Sequence, residues 1–179
     1  MKKGSTVLLV IIAVIIVIAL ALGGIYNSIV TLEENVNSEF SNVSVMLERR
    51  ADLIPNLVST VKGYASHEQA AIDSVTKARE NLLQAKTIEE KGEANNELTS
   101  ALNALMVIVE NYPDLKANQN FIQLSDELAG TENRIATARR DYNDAVKAYN
   151  SKVKKFPTNL IAGMFGFSEK DYFEVEPSK

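Results

Sequence analysis

The segment VLLVIIAVIIVIALAL, residues 7–22, decides the architecture of this 179-residue chain. All its residues are Val, Leu, Ile or Ala, and the flanking Ser, Thr and Gly residues add no charge. A helix needs about 20 apolar residues to cross the hydrocarbon core of a bilayer. A core helix of a soluble protein normally keeps a polar face, and this segment has none. We therefore predict that residues 1–25 comprise a cytoplasmic N-terminus and a transmembrane anchor.

The charges around the anchor predict its orientation. Lys2 and Lys3 precede it, while Glu33 and Glu34 follow it. Basic residues resist translocation, so the N-terminus is expected in the cytoplasm and the rest of the chain outside it. Cleavage at Ala19-Leu20-Ala21, which has the form of a signal-peptide site, is the alternative. Retention is favoured because the apolar run is longer than a usual signal-peptide core and no polar segment precedes the alanines.

The composition excludes several classes of function. The chain has no cysteine, which rules out disulfides, a cysteine nucleophile and a lipid-bearing N-terminal cysteine. Without Lys2 and Lys3, 17 basic residues stand against 23 acidic residues. This acidic balance argues against nucleic acid as a partner, because nucleic-acid-binding proteins present a basic patch.

The remainder of the chain is predicted to be helical. Apolar residues recur every three or four positions, the spacing of a helix with one buried face. Four such stripes run from Ile25 to Leu47, from Leu57 to Leu82, from Leu98 to Tyr112 and from Phe121 to Phe156. The first stripe can continue directly from the membrane helix. Short connections between long helices favour an antiparallel four-helix bundle over residues 26–156, and the fold class is all-α.

Prolines and a capping motif divide these stripes. Pro55 disfavours a helix interior, and Asp52 is a plausible cap for a new helix, so a corner between the first two bundle helices is predicted here. Thr87 to Glu90 fits a capping box that starts the third helix. Pro113 and Pro157 end the third and fourth stripes.

Residues 157–179 form an apolar C-terminal tail. Its large side chains are Leu160, Ile161, Met164, Phe165, Phe167, Tyr172 and Phe173. So many apolar groups require a partner other than water. The tail either caps one end of the bundle, which we favour, or contacts the membrane or another protein.

Motifs for catalysis are missing from the sequence. His67 is the only histidine, which excludes an HExxH zinc site. There is no G-x-S-x-G motif, no Walker P-loop and no GxGxxG motif. We interpret the acidic pairs Glu33-Glu34 and Glu89-Glu90 as residues on solvent-exposed faces of the helices. No catalytic residue, metal ligand or cofactor is predicted, and the protein is expected not to be an enzyme.

Two polar patches remain as candidate sites. The first contains Arg49, Arg50 and Asp52 at the predicted corner. The second comprises residues 139–143 and Tyr149-Asn150, with Arg139, Arg140, Tyr142 and Tyr149 as its candidate residues, and its two tyrosines lie on the fourth stripe. These arginines either lock a helix end, which we favour, or bind an anion or a partner. The tyrosines are predicted to be core rings whose hydroxyls reach a partner, with Arg49 or Arg50 as candidates.

Long segments of the chain resemble the LemA family of bacterial membrane proteins. They are RRADLIPNLVSTVKGYASHE (49–68), NYPDLKANQNFIQLSDELAGTENRIATARRDYNDAVKAYN (111–150), FPTNLIAGMFGF (156–167) and, less strongly, YNSIVTLEENVNSEFSNVSVMLE from Tyr26. The resemblance implies a single-pass protein of the cell envelope with a four-helix soluble domain. It implies no established substrate, cofactor or catalytic site.

The resemblance and the residues together lead to one expected function and one alternative. The expected function is a membrane-anchored scaffold or protein-interaction module in the bacterial inner membrane. Its partners are the lipid bilayer and either envelope proteins or further copies of the chain. The alternative is a ligand-binding or sensing module that uses the arginine and tyrosine patches near the first corner.

The charge argument makes a prediction about topology. Protease added to intact cells, after removal of any outer membrane, should digest the segment 121–156 and leave the N-terminus protected. Digestion of an N-terminal epitope with protection of residues 121–156 would reverse the orientation. Lysed cells, in which both parts are digested, provide the control.

Overall fold

The computed structural model describes residues 2–173, and their side chains from Thr6 onward. Six helices lie in this range: α1 Lys2–Lys62, α2 Gln69–Gln84, α3 Ile88–Val109, α4 Pro113–Lys116, α5 Gln119–Lys154 and α6 Thr158–Phe165. Residues 2–173 contain no strand, so the predicted all-α class is confirmed. The side chains of Lys2 and Lys3 and the last six residues of the predicted tail lie outside the described residues.

The chain divides into two compact units. Within the described residues, unit A comprises residues 2–37 and 144–170, and unit B comprises residues 38–143 and 171–173. Helices α1 and α5 each contribute to both units. Each unit is built around its own buried side chains.

The N-terminal part of α1 carries the predicted anchor. The large side chains between Val7 and Leu22 are exposed, and the most apolar window of the helix has no buried residue. A fully exposed apolar helix of this length is suited to lipid rather than to water. It is the one candidate membrane span among the described residues. The first stripe continues from it without a break, because residues 2–62 form a single helix.

Unit B is a four-helix arrangement of α1, α2, α3 and α5. Its core contains Val43, Leu47, Ile54, Leu57, Ile72, Val75, Leu98, Leu105, Leu128 and Ile135. Neighbouring helices run antiparallel, as their contacts show: Arg79 of α2 reaches Ala51 of α1, and Asn81 of α2 reaches Glu97 of α3. The apolar positions of the third and fourth stripes are buried or, at Tyr112 and Leu124, half-buried, apart from Phe156, which is 79% exposed.

The predicted corner at Asp52–Pro55 is wrong. Pro55 lies inside α1, which ends at Lys62, and the turn to α2 occupies residues 63–68. Proline cannot donate a hydrogen bond to the carbonyl four residues earlier, which here belongs to Ala51. The Arg79 Nε–H of α2 donates to this carbonyl instead, at 2.8 Å. A neighbouring helix thus supplies the missing donor, and the helix continues through the proline.

Because α1 ends later than predicted, the buried positions in the first part of the second stripe also differ from the prediction. Tyr64, predicted to be buried, is 45% exposed, whereas Ala65 and Ile72 are buried. His67 lies exposed in the same turn. The prediction treated residues 57–82 as one periodic helix, and the real break falls inside it.

The start of α3 is as predicted. Thr87 is its N-cap, the Thr87 hydroxyl accepts from the Glu90 N–H, and the Glu90 carboxylate accepts from the Thr87 N–H. These reciprocal hydrogen bonds satisfy two backbone groups that a helix start otherwise leaves unpaired. The Lys86 and Thr87 N–H groups both donate to the Glu90 carboxylate, and these two hydrogen bonds lower its pKa because they favour the charged form.

Unit A packs the start of α1 beyond the anchor against the end of α5 and against α6. Its buried apolar residues are Ile29, Val36, Ala145, Val146, Tyr149, Val153, Ile161 and Ala162. Helix α6 ends at Gly166, whose φ of +78° is readily adopted only by glycine. The Phe167 N–H then donates to the Ala162 carbonyl at 2.9 Å, which fixes the turn that follows α6.

The substitution Arg79→Ala is expected to destabilise the full-length chain by about 1–3 kcal/mol, because it leaves the buried Ala51 carbonyl without a donor. The cost should shrink in a Pro55→Ala background, since residue 55 then has an N–H that can reach Ala51. Denaturation followed by circular dichroism in detergent micelles measures both values.

Lys77→Ala, at an exposed position on the same helix, is the matched control and should have little effect. If Arg79→Ala lowered the free energy of unfolding equally in the wild-type and in the Pro55→Ala background, Arg79 would act through packing alone.

Candidate functional site

Arg50 lies in the interior of unit B, with 4% of its surface exposed. Its Nη1 donates to the Asn95 Oδ1 at 2.5 Å and to the Thr99 Oγ1 at 3.0 Å, both on α3. The same nitrogen is 2.6 Å from the Glu132 Oε2 on α5. Burial lowers the pKa of Arg50, and the Glu132 carboxylate opposes that shift. A guanidinium nevertheless stays protonated in proteins, so Arg50 is a buried cation whose partners come from two other helices.

Arg139 shares the influence of Glu132. Its guanidinium carbon lies 4.7 Å from the centre of the Phe173 ring, a cation–π arrangement. Burial lowers the pKa of Arg139, and again the Glu132 carboxylate opposes the shift. The partly exposed Glu132 carboxylate therefore offsets part of the effect of burial on the pKa of both Arg50 and Arg139.

Residues 171–173 are held along α5 of unit B by side chains. The Tyr142 hydroxyl donates to the Asp171 carbonyl at 2.9 Å. The Asn143 amide makes two hydrogen bonds to Phe173: Oδ1 accepts from its N–H at 2.8 Å, and Nδ2 donates to its carbonyl at 3.1 Å. Phe173 is 1% exposed. The side chains of α5 thus fix this part of the C-terminal tail, with Phe173 buried and Asp171 and Tyr172 exposed.

A similar arrangement occurs in unit A. The Asn150 side chain accepts from the Lys170 N–H and donates to its carbonyl, both at 2.9 Å. The Lys170 ammonium lies 2.8 Å from the Glu33 Oε1 and 5.8 Å from the centre of the Tyr149 ring. Burial raises the pKa of Tyr149, and Glu33 raises it further while Lys170 lowers it. Tyr149 is thus kept neutral at physiological pH.

The tyrosine hydroxyls do not reach the arginines that the sequence suggested. Tyr142 donates to the Asp171 carbonyl, and burial is the main cause of its raised pKa. The Tyr149 hydroxyl is buried without a hydrogen-bond partner among the described residues. The proposed pairing with Arg49 or Arg50 is therefore wrong for both rings.

The remaining predicted residues lie at the surface. Arg49 and Asp52 are exposed on α1, and Asp52 lies inside the helix rather than at its start. The exposed Arg140 is 3.5 Å from the carboxylate of its neighbour Asp141. Arg49 borders a groove of about 520 Å³, which is also lined by Gln119, Ile122, Gln123, Asp126, Glu127, Gly130, Thr131 and Arg134. The predicted set of residues is thus divided between interior and surface.

Sequence reasoning missed several partners of these residues. Asn95, Thr99, Glu132 and Arg79 make polar contacts, and none of them belongs to a recognisable motif. Asn143 and Asn150 lie in the second predicted patch, but their contacts with the tail were not predicted. Asn95 did carry a signal, because it lies three residues before Leu98 and so extends the third stripe. An amide at a stripe position indicates a buried polar group that needs a partner. Nothing local identifies that partner as Arg50.

Among residues 2–173, no group of three or more His, Cys, Asp or Glu side chains is placed to hold a metal ion. Glu132 forms an ion pair with Arg50, and the single histidine is exposed in a turn. The polar contacts of Arg50 and Arg79 join α1 to α2, α3 and α5.

Fold and interior contacts together define a helical protein with one candidate membrane span among the described residues. A family model matches residues 39–179, and the chain belongs to the LemA family. The recognition made from the sequence is confirmed. Membership makes this a membrane-associated helical protein, which agrees with the exposed apolar segment of α1.

The chain is similar to magnetosome proteins as well as to a LemA protein. Magnetosome proteins MamQ 1 and MamQ 2 of Paramagnetospirillum magneticum are each 29% identical over 179 residues, covering 86% of this chain and 66% of theirs. Protein LemA of Metamycoplasma hominis is 25% identical over 162 residues, covering 86% and 74%. The chain thus spans just under two thirds of the length of these magnetosome proteins.

Arg50→Ala is expected to destabilise the full-length protein by about 1.5–3 kcal/mol, the usual contribution of hydrogen bonds to a charged group. Its melting temperature should fall by about 2–4 °C per kcal/mol. The reason is that Asn95, Thr99 and Glu132 all lose their common partner. Thermal melts in detergent, followed by circular dichroism, measure the change.

Arg49→Ala provides the matched control, since this adjacent arginine is exposed. Its melting temperature should stay close to that of the wild type. Equal effects of the two substitutions would contradict a special role for the buried guanidinium.

Proposed function

We propose that this protein is a non-enzymatic, membrane-anchored scaffold or protein-interaction module of the bacterial cell envelope. The observation that carries the proposal is the use of the interior polar groups. Arg50, Arg139 and Glu132 are engaged with other helices or with Phe173, and no acid, base or nucleophile among them faces an open pocket. Such contacts stabilise the packing of the helices and do not by themselves catalyse a reaction.

The proposed location is the inner membrane, with the N-terminus in the cytoplasm and the helical part outside it. Support comes from the exposed apolar segment of α1 and from the basic residues that precede it in the sequence. Membership of the LemA family and the similarity to magnetosome proteins agree with attachment to a membrane. The lipid bilayer is thus the first partner, and envelope proteins or further copies of the chain are the proposed second partner.

Site-directed photocrosslinking in living cells tests the second part of the proposal. A photoreactive phenylalanine derivative is placed singly at Val45, Tyr64 or Leu83, which are exposed apolar positions of unit B. At least one position should yield a light-dependent adduct larger than the monomer, which mass spectrometry then identifies. The same variants kept in the dark are the controls.

If none of the three variants gave an adduct at native expression levels, a scaffold that acts through this surface would be contradicted. An adduct of exactly two chains would assign the partner as a second copy. An adduct with another envelope protein would identify the client of the scaffold.

The alternative is a module that binds or senses a polar envelope ligand. The observation in its favour is the groove beside Arg49, where Arg134 adds a second positive charge and Asp126 and Glu127 add negative ones. A groove of mixed charge suits a polar ligand better than a simple anion. Ligand-dependent stabilisation that Arg49→Ala abolishes, without lowering the melting temperature of the free protein, would favour this alternative.

A further inference from the structure

Helix α6 leaves an apolar surface exposed in unit A. Thr158, Ile161 and Ala162 are buried. Four large apolar side chains of the same short segment remain exposed: Phe156 (79%), Leu160 (59%), Met164 (81%) and Phe165 (60%). Leu160 and Met164 share one side of α6, whereas Phe156 precedes the helix and Phe165 lies on the Ile161 side. We call these four residues the α6 apolar face. Four large apolar side chains on one segment are unusual at a water-exposed surface and indicate a binding surface.

The α6 apolar face lies close to the end of the membrane helix. The Phe165 and Phe167 rings contact the Tyr26 ring, with centroids 4.9 and 5.7 Å apart. Tyr26 follows the last residue of the apolar run, Leu22, by about 6 Å of helix rise. The contacts therefore hold the C-terminal end of α6 at the level where α1 leaves the hydrocarbon.

The local structure keeps α6 in this place. Gly166, in its left-handed conformation, ends the helix and turns the chain so that Phe167 also reaches Tyr26. Further along, Lys170 is tied to Asn150 and to Glu33. The segment from 165 to 170 is thus held at both ends, by the ring contacts to Tyr26 and by the contacts of Lys170.

We propose that the α6 apolar face lies in the interfacial region of the same bilayer that holds the anchor. Its continuity with the membrane span argues for lipid, because a surface beside Tyr26 meets the bilayer before any protein partner. Aromatic rings are favoured at this depth, and Tyr26, Phe156 and Phe165 supply them. Lys152 and Lys155 precede the face in sequence and match the negative charge of bacterial phospholipid headgroups, whereas Lys154 is paired with Glu169.

The contact has a consequence for how the chain is attached. An apolar face that is laid on the bilayer provides a second point of attachment beside the anchor. Two points of attachment restrict rotation and tilt of unit A about the single membrane helix. The C-terminal segment is then part of the membrane-binding surface, in addition to filling the core through Ile161.

Single tryptophans test the proposal directly, because the chain contains no native tryptophan. Met164→Trp places one on the α6 apolar face, and Val107→Trp places one at an exposed site on α3 as the control. The full-length variants are reconstituted into vesicles of phosphatidylethanolamine and phosphatidylglycerol, with and without lipids that carry bromine at carbons near the headgroup. Both leaflets contain bromolipid, so orientation in the vesicle does not affect the result.

The expected result is blue-shifted emission from residue 164 and about twofold quenching by bromolipid, as for a side chain a few ångströms below the headgroups. Residue 107 should show water-like emission and no quenching. Phe165→Trp is a second reporter that preserves an aromatic ring, and it guards against a local failure to fold at residue 164.

Unquenched emission at both 164 and 165 would overturn the proposal. If that emission were blue-shifted and depended on protein concentration, the α6 apolar face would instead bind a second copy of the chain. Neither outcome bears on the photocrosslinks from unit B, so the scaffold proposal is tested separately.

Discussion

A positive charge in a protein interior has to be paired where it lies, and Arg50 imposes this requirement on unit B. Its partners come from two separate helices, Asn95 and Thr99 from α3 and Glu132 from α5. Apolar stripes alone are tolerant of slippage, because one leucine can replace another after a shift of one turn. A slip of about 5.4 Å would instead leave Arg50 unpaired in the core. We interpret the cluster as the element that sets the register of these three helices.

The same requirement for partners extends to the main chain. The Ala51 carbonyl loses its usual donor at Pro55 and accepts from Arg79. Residues 170–173 lie outside helices and strands, and the side chains of Asn150 and Asn143 supply the hydrogen bonds that secondary structure would provide. Buried backbone groups must be paired, and long polar side chains from neighbouring helices are an available source of partners. The polar residues of α2 and α5 therefore serve the architecture.

This use of polar side chains bears on function. Their charged and amide groups contact neighbouring helices or the tail, so the interior of each unit contributes to stability. What the described residues leave exposed is of a different kind: an apolar membrane segment, an apolar face on α6 and a largely polar surface on unit B. Exposed surfaces of these kinds are suited to contacts with lipid and with other proteins. The proposed role in the envelope is based on that contrast.

Features that depend on nearby residues were predictable from the sequence alone. They include the membrane segment, the helical class, the capping box at Thr87 and most buried positions between Phe121 and Val153, because composition and helical spacing are local properties. The end of α1 and the partners of Arg50 were not predictable. Pro55 indicates a break only if no donor reaches Ala51, and that donor comes from a residue 28 positions away. Helical spacing separates Arg50 from Arg49, because Arg50 lies three residues after Leu47 on the buried face of α1, but only the packing of α3 and α5 supplies its partners. Local sequence determines which face of a helix is buried, whereas the tertiary structure decides which distant residue meets it.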